Sequence, residues 1–194
     1  MKKMICTVST AVILLTGSGF SYSSYANAAN IPSKNTAAAT KKAPVKPASK
    51  IDQKKAKAYI KSTIEPITVK VGDQMNDDMK YYLGDPMLNY LDGKGDYQTV
   101  QKGAAELLQM RTKYNNSINK LQTKEFMTKA QNRDVLEIRA GLKDSRNGLI
   151  LAAETLLNTK ESEFDELYIL EYLFPPQIDI GLALITLEEL KNRK

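Results

Sequence analysis

Residues 97–121 read YQTVQKGAAELLQMRTKYNNSINKL. Tyr97, Val100, Ala104, Leu107, Arg111, Tyr114, Ile118 and Leu121 recur at alternating steps of three and four, with Arg111 the one charged member. Such a stripe belongs to a helix that buries one side against other helices. A single long helix to Leu121 is the expectation.

The segments on either side carry the same pattern. Upstream, Ala56, Ile60, Ile64, Ile67, Val71, Met75, Met79 and Leu83 predict a helix that begins near Ser49. Pro66 should kink it or divide it in two, and Gly84-Asp85-Pro86 reads as a stop and restart. Met75 and Met79 are expected in the core. Downstream, Val135, Ile138, Leu142, Ser145, Leu149, Ala152 and Leu156 give steps of three and four again. Gly141 and Gly148 on that segment invite close approach of a neighbouring helix. Its start is expected at Thr123, Asn132 or Asp134. A short helix follows the acidic run Glu161 to Glu166, where Ser162 can cap. Pro175-Pro176 should stop it. A last helix uses Ile180, Ala183, Leu184, Leu187 and Leu190. Alternation at Ile178, Ile180, Leu182 and Leu184 would suit a strand, but no partner strand offers itself. The expected fold is therefore all-α, an antiparallel bundle of four to six helices.

The bundle is expected over residues 51–194. Before it, Lys2 and Lys3, an apolar run from Met4 to Leu15 and Ala26-Asn27-Ala28 have the form of a secretory signal over 1–28. The run is short for a membrane span. Cleavage near Ala28 removes Cys6, the only cysteine, so the exported chain would be held by its core alone. Residues 29–50 are rich in Lys, Ala and Pro and have little to bury, which predicts a disordered linker.

The formal charge of +6 is unevenly placed. Of 28 basic residues, Lys2 and Lys3 fall in the signal, and Lys34, Lys41, Lys42, Lys46 and Lys50 in the linker. The remaining 21 face 22 acidic residues. A nucleic-acid-binding surface is thus not expected. A basic tether able to contact an anionic envelope polymer or lipid headgroups is.

There is no histidine. This excludes Ser-His-Asp and Cys-His catalysis and histidine-ligated zinc. Asp92-Gly93-Lys94-Gly95-Asp96 resembles a calcium loop only superficially, because Lys94 stands at a ligand position and no glutamate closes the loop. Asp96 fits better as a helix N-cap. No metal or cofactor is expected. The candidate ligand-binding residues are Arg111, Tyr81, Tyr82, Tyr114 and Glu171. Arg111 needs a carboxylate or an anionic ligand if buried, the tyrosines suit the wall of a site, and Glu171 is the acid most isolated among apolar neighbours. No catalytic residue is expected. The function expected is a secreted or envelope-associated, non-enzymatic binding module for a protein, a wall polymer or a small ligand. The alternatives are a carboxylate-dependent enzyme on envelope glycan and a membrane-active bundle that exposes residues 164–190.

Overall fold

A computed structural model describes residues 50–110 and 112–193. The signal expected at 1–28, nearly all of the linker and Arg111 lie outside these residues. Every regular element described is helical, so the fold is all-α.

The first helical path runs from Lys50 to Leu91 without a break. It consists of α1 (Lys50–Tyr59), a π segment (Ile60–Ile64), α2 (Glu65–Met79), a second π segment (Lys80–Gly84) and α3 (Asp85–Leu91). The expected stop at Gly84-Asp85-Pro86 is therefore corrected, and of the two expectations at Pro66 the undivided helix holds. A proline has no N–H for the carbonyl four residues back, and its ring collides with that carbonyl. For Pro66 and Pro86 those carbonyls belong to Ser62 and Tyr82, each inside a π segment. There the chain bonds five residues back instead, from the Glu65 amide to the Ile60 carbonyl and from the Asp85 amide to the Lys80 carbonyl. The helix widens rather than ends.

The same widening sets the buried face. Ala56, Ile60, Ile64, Thr68, Gly72, Met75, Met79, Leu83 and Met87 are all buried. They mark eight turns across 31 residue steps. An ordinary α-helix would need about 29 for eight turns. The surplus of roughly two residues matches one extra residue in each π segment, so the core face does not wander around the helix.

The central stretch is also corrected. Helix α4 spans Tyr97–Gln109 and is capped by Asp96, whose side chain accepts from the Thr99 amide. It does not continue to Leu121, and a separate turn, α5 (Asn115–Ile118), follows. The seam stays inside regardless: Tyr97, Val100, Ala104, Leu107, Tyr114, Ile118 and Leu121 are all buried.

Helix α6 runs over Lys129–Asn158 and starts at Thr128, in a capping box with Gln131, rather than at Thr123, Asn132 or Asp134. Its seven seam residues are buried. After a 3-10 turn (Glu161–Glu163) without a Ser162 cap come α7 (Leu167–Tyr172) and α8 (Phe174–Asn192). Pro175 and Pro176 lie in the first turn of α8, where a missing N–H costs nothing, so they open the last helix.

Helices α6 and α8 are antiparallel: Gly141 faces Asp179 and Ala183, while Gly148 faces Pro176. A Cβ at Gly148 would fall 2.7 Å from Pro176 Cγ, and one at Gly141 3.1 Å from the Asp179 carbonyl. Gly141, Ser145, Gly148 and Ala152 thus form a small-residue track that brings the two backbones together. On the same buried side of α8, Ile180 Cγ2 lies 3.2 Å from where a Cβ on Gly72 of α2 would be.

Candidate interaction surface

Three of the residues singled out from sequence share a corner where α2, the second π segment and α5 meet. Tyr114 is buried and its hydroxyl donates to Asp78 Oδ2. Lys113 Nζ pairs with the same oxygen at 2.6 Å and lies 5.5 Å from the Tyr114 ring centroid. Burial, and then the hydrogen bond to the Asp78 carboxylate, push the Tyr114 phenol far above its ordinary value. Tyr82 is half-buried, near enough to add to that shift. Tyr81 stands edge-on to Tyr82 at 4.8 Å and is exposed. The chemistry here is a satisfied ion pair roofed by aromatic rings. Glu171 does not join it. It is exposed on α7, beside Tyr168.

Tyr97 and Phe164 centre a second aromatic group, with Tyr90, Tyr168 and Tyr172 stacked outward at 4.6–5.5 Å between successive centroids. The Tyr97 hydroxyl donates to the Thr159 carbonyl at 3.0 Å, and Tyr90 donates to Glu161 at 3.1 Å. These contacts fasten α3 and the start of α4 to the end of α6 and the turn that follows it. They are packing contacts.

The unusual surface is the outer side of α7 and α8. Ile180, Ala183, Leu187 and Leu190 are buried against α6 and α2. Diametrically opposite, Phe174, Ile178, Leu182 and Ile185 are 37% to 58% exposed, and Leu167 and Leu170 extend the line onto α7. A surface helix ordinarily turns a polar face to water; this one is apolar on both sides. Leu167–Asn192 is the one stretch among the described residues long and apolar enough to cross a membrane, and only 22% of its most apolar window is buried. Low burial distinguishes it from a core helix that passes the same test.

Acids frame this face. Residues 161–190 contain eight acidic residues and no basic one. Glu171, Glu188 and Glu189 are exposed beside the α8 part of the apolar line, Glu188 paired with Lys191 at 2.9 Å. Leu184, Ile185, Glu188, Glu189, Asn192 and Arg193 continue this open surface toward the end of α8. Sequence reasoning assigned α8 its buried stripe and passed over this outer one. The available signal was the surplus of Ile178, Leu182 and Ile185 on the side that should have been polar.

Compared with protein-family models, with curated proteins and with solved structures, the chain matches none of them.

Proposed function

We propose that this chain is an exported, non-enzymatic interaction protein of the cell envelope or extracellular space, and that its partner seats on the outer face of α7 and α8. The carrying observation is the line of exposed apolar side chains from Leu167 to Ile185 on a helix whose other side is already packed. Contiguous apolar surface on a folded chain is retained at a cost in solubility and marks places where something else is bound. The leader-like N-terminus supports the location, and the lack of histidine supports a binding role over catalysis.

A photo-crosslinking side chain at position 178 tests this in producing cells. A discrete adduct at 178, absent when the probe sits at Lys102 on the exposed side of α4, is the expected outcome. Equal labelling at both positions, or none at 178 and 182, overturns the reading.

The composition of Leu167–Asn192 favours a second reading, a membrane-active protein. That reading requires dye release from lipid vesicles by the folded chain. The crosslinking reading requires intact vesicles.

A further inference from the structure

The exposed line on α8 is ordered by position as well as by polarity. Phe174, Ile178 and Leu182 succeed one another at steps of four, so they form one ridge, and Ile185 and Leu170 lengthen it. A ridge of this kind packs into the groove of a second helix. Glu171, on α7, and Glu189 flank the α8 part of this ridge, 18 residues apart in the chain.

Charge selects among the occupants such a ridge admits. A second copy pairing about Ile180 would set Ile178 on Leu182 and, at both ends, Glu171 on Glu189. In that register like charges meet at both ends, which disfavours it. A bilayer is a poor match as well. Helices that lie in the membrane interface carry lysine and arginine beside the apolar face, whereas residues 161–190 carry only acids. A helix with an apolar stripe and basic residues at its ends meets every feature: ridge in groove, apolar on apolar, base on acid.

We infer that the outer face of α8 is the docking site for a cationic amphipathic helix of another protein, with Phe174, Ile178, Leu182 and Ile185 as the apolar seat and Glu171 and Glu189 as the charged end-stops. The inference rests on the reading that this face binds a partner, and narrows the partner's chemistry.

Titration of the exported chain with a leucine/lysine helical peptide of about four turns, followed by fluorescence anisotropy, tests it. The control is the same peptide with glutamate in place of lysine. The expected result is saturable binding of the cationic peptide that weakens with added salt, and at least about tenfold weaker binding of the acidic one. Ile178→Asp with Leu182→Asp should abolish binding. Glu171→Gln with Glu189→Gln, which alters charge without altering shape, should weaken it about tenfold and flatten its salt dependence. These side chains are exposed, so circular dichroism should show both variants folded.

Equal binding of the two peptides, or unchanged binding by either variant, overturns the inference. So does sedimentation of the chain alone as a dimer that Ile178→Asp dissociates, or binding to phosphatidylcholine vesicles in place of the peptide. A discrete crosslink at position 178 together with failure of the cationic peptide would reject the partner chemistry while leaving the interaction face standing. Failure of both would reject the face.

Discussion

Gly103 of α4 lies against the backbone carbonyl of Tyr82, so closely that a Cβ on Gly103 would fall 2.0 Å from that oxygen. The carbonyl is the one that Pro86, lacking an N–H, leaves without its α-helical partner. The proline, the π segment it induces and the glycine that receives the freed carbonyl are one device. It lets α4 approach the first helical path more closely than any residue with a side chain would allow.

Gly103→Ala should therefore be severely destabilising. Alanine in a helix interior gains up to about 1 kcal/mol over glycine. Here the clash is with backbone, which cannot rotate away, and overpacking of that kind costs about 3 kcal/mol or more. Gly181→Ala is the contrast. A Cβ there meets nothing within 4 Å, so this variant should gain about 0.5–1 kcal/mol. Thermal unfolding of the two variants should move in opposite directions.

Ser145→Ala should stabilise the chain. Ser145 is fully buried in the α6–α8 track, and its Oγ has no hydrogen-bond partner among the described residues. An unpaired buried hydroxyl costs about 1–3 kcal/mol, and alanine removes it with little loss of volume. A gain of about 1 kcal/mol in denaturant unfolding is expected. No gain would mean that the hydroxyl is satisfied.

Which side of each segment is buried was legible in the sequence; whether the backbone runs on was not. The seam through Tyr97, Val100, Ala104, Leu107, Tyr114, Ile118 and Leu121 is buried throughout, yet α4 ends at Gln109. Steps of three and four report an apolar side, and two short helices joined by a tight turn satisfy them as well as one long helix. Asn115, Asn116 and Ser117, which hydrogen-bond readily to nearby backbone and so favour turns, were the hint. The reverse error occurred at Gly84-Asp85-Pro86, and at Pro66 the open choice between one helix and two falls to one; at both prolines a breaker was absorbed. There the clue was the run of four-residue steps from Ala56 to Gly72, too long a period for a plain α-helix. The tyrosine corner was half legible. Tyr81, Tyr82 and Tyr114 do share a corner, but Asp78 and Lys113, which give it its chemistry, lie outside the aromatic pattern that drew attention.

Two aspartates should respond to pH in opposite senses. Burial, and then repulsion from Asp144, push the Asp179 carboxyl up. A raised folded value means that its contribution is full below the unfolded value, roughly pH 4, and is lost as pH rises through the folded one. Asp179→Asn should thus stabilise the chain at pH 7 but not at pH 3, by no more than about 0.5 kcal/mol because the side chain is only half-buried. Asp96 is held below its ordinary value by the amide and hydroxyl of Thr99. Its contribution is present above the unfolded value and lost as pH falls through the folded one, so Asp96→Asn should lower stability at pH 7 and matter less at pH 2. Unfolding curves at the paired pH values check both signs.

Tyr114→Phe should cost about 2 kcal/mol, the range for a hydrogen bond to a charged group. The variant keeps the ring in the core but takes a donor from Asp78, leaving Lys113 as its partner there. If the corner is purely structural, this loss should leave peptide binding at α8 unchanged, and a combined unfolding and anisotropy measurement separates the two effects.

Arg193, just past the end of α8, closes over the second turn of α6. Its Nε and one terminal nitrogen both donate to the carboxylate of Asp134, which is 1% exposed. A forked guanidinium matches a carboxylate in a way a point charge does not. Removing one member of such a pair is worse than removing both, because a buried charge without its partner has lost its hydration and gained nothing. Arg193→Ala should lower the melting temperature. Asp134→Asn in the same chain should recover much of that loss, since the amide has no charge to leave stranded. Arg193→Lys should fall between wild type and Arg193→Ala. A double variant less stable than Arg193→Ala would show that Arg133, 3.9 Å from the same carboxylate, holds Asp134 without the end of α8.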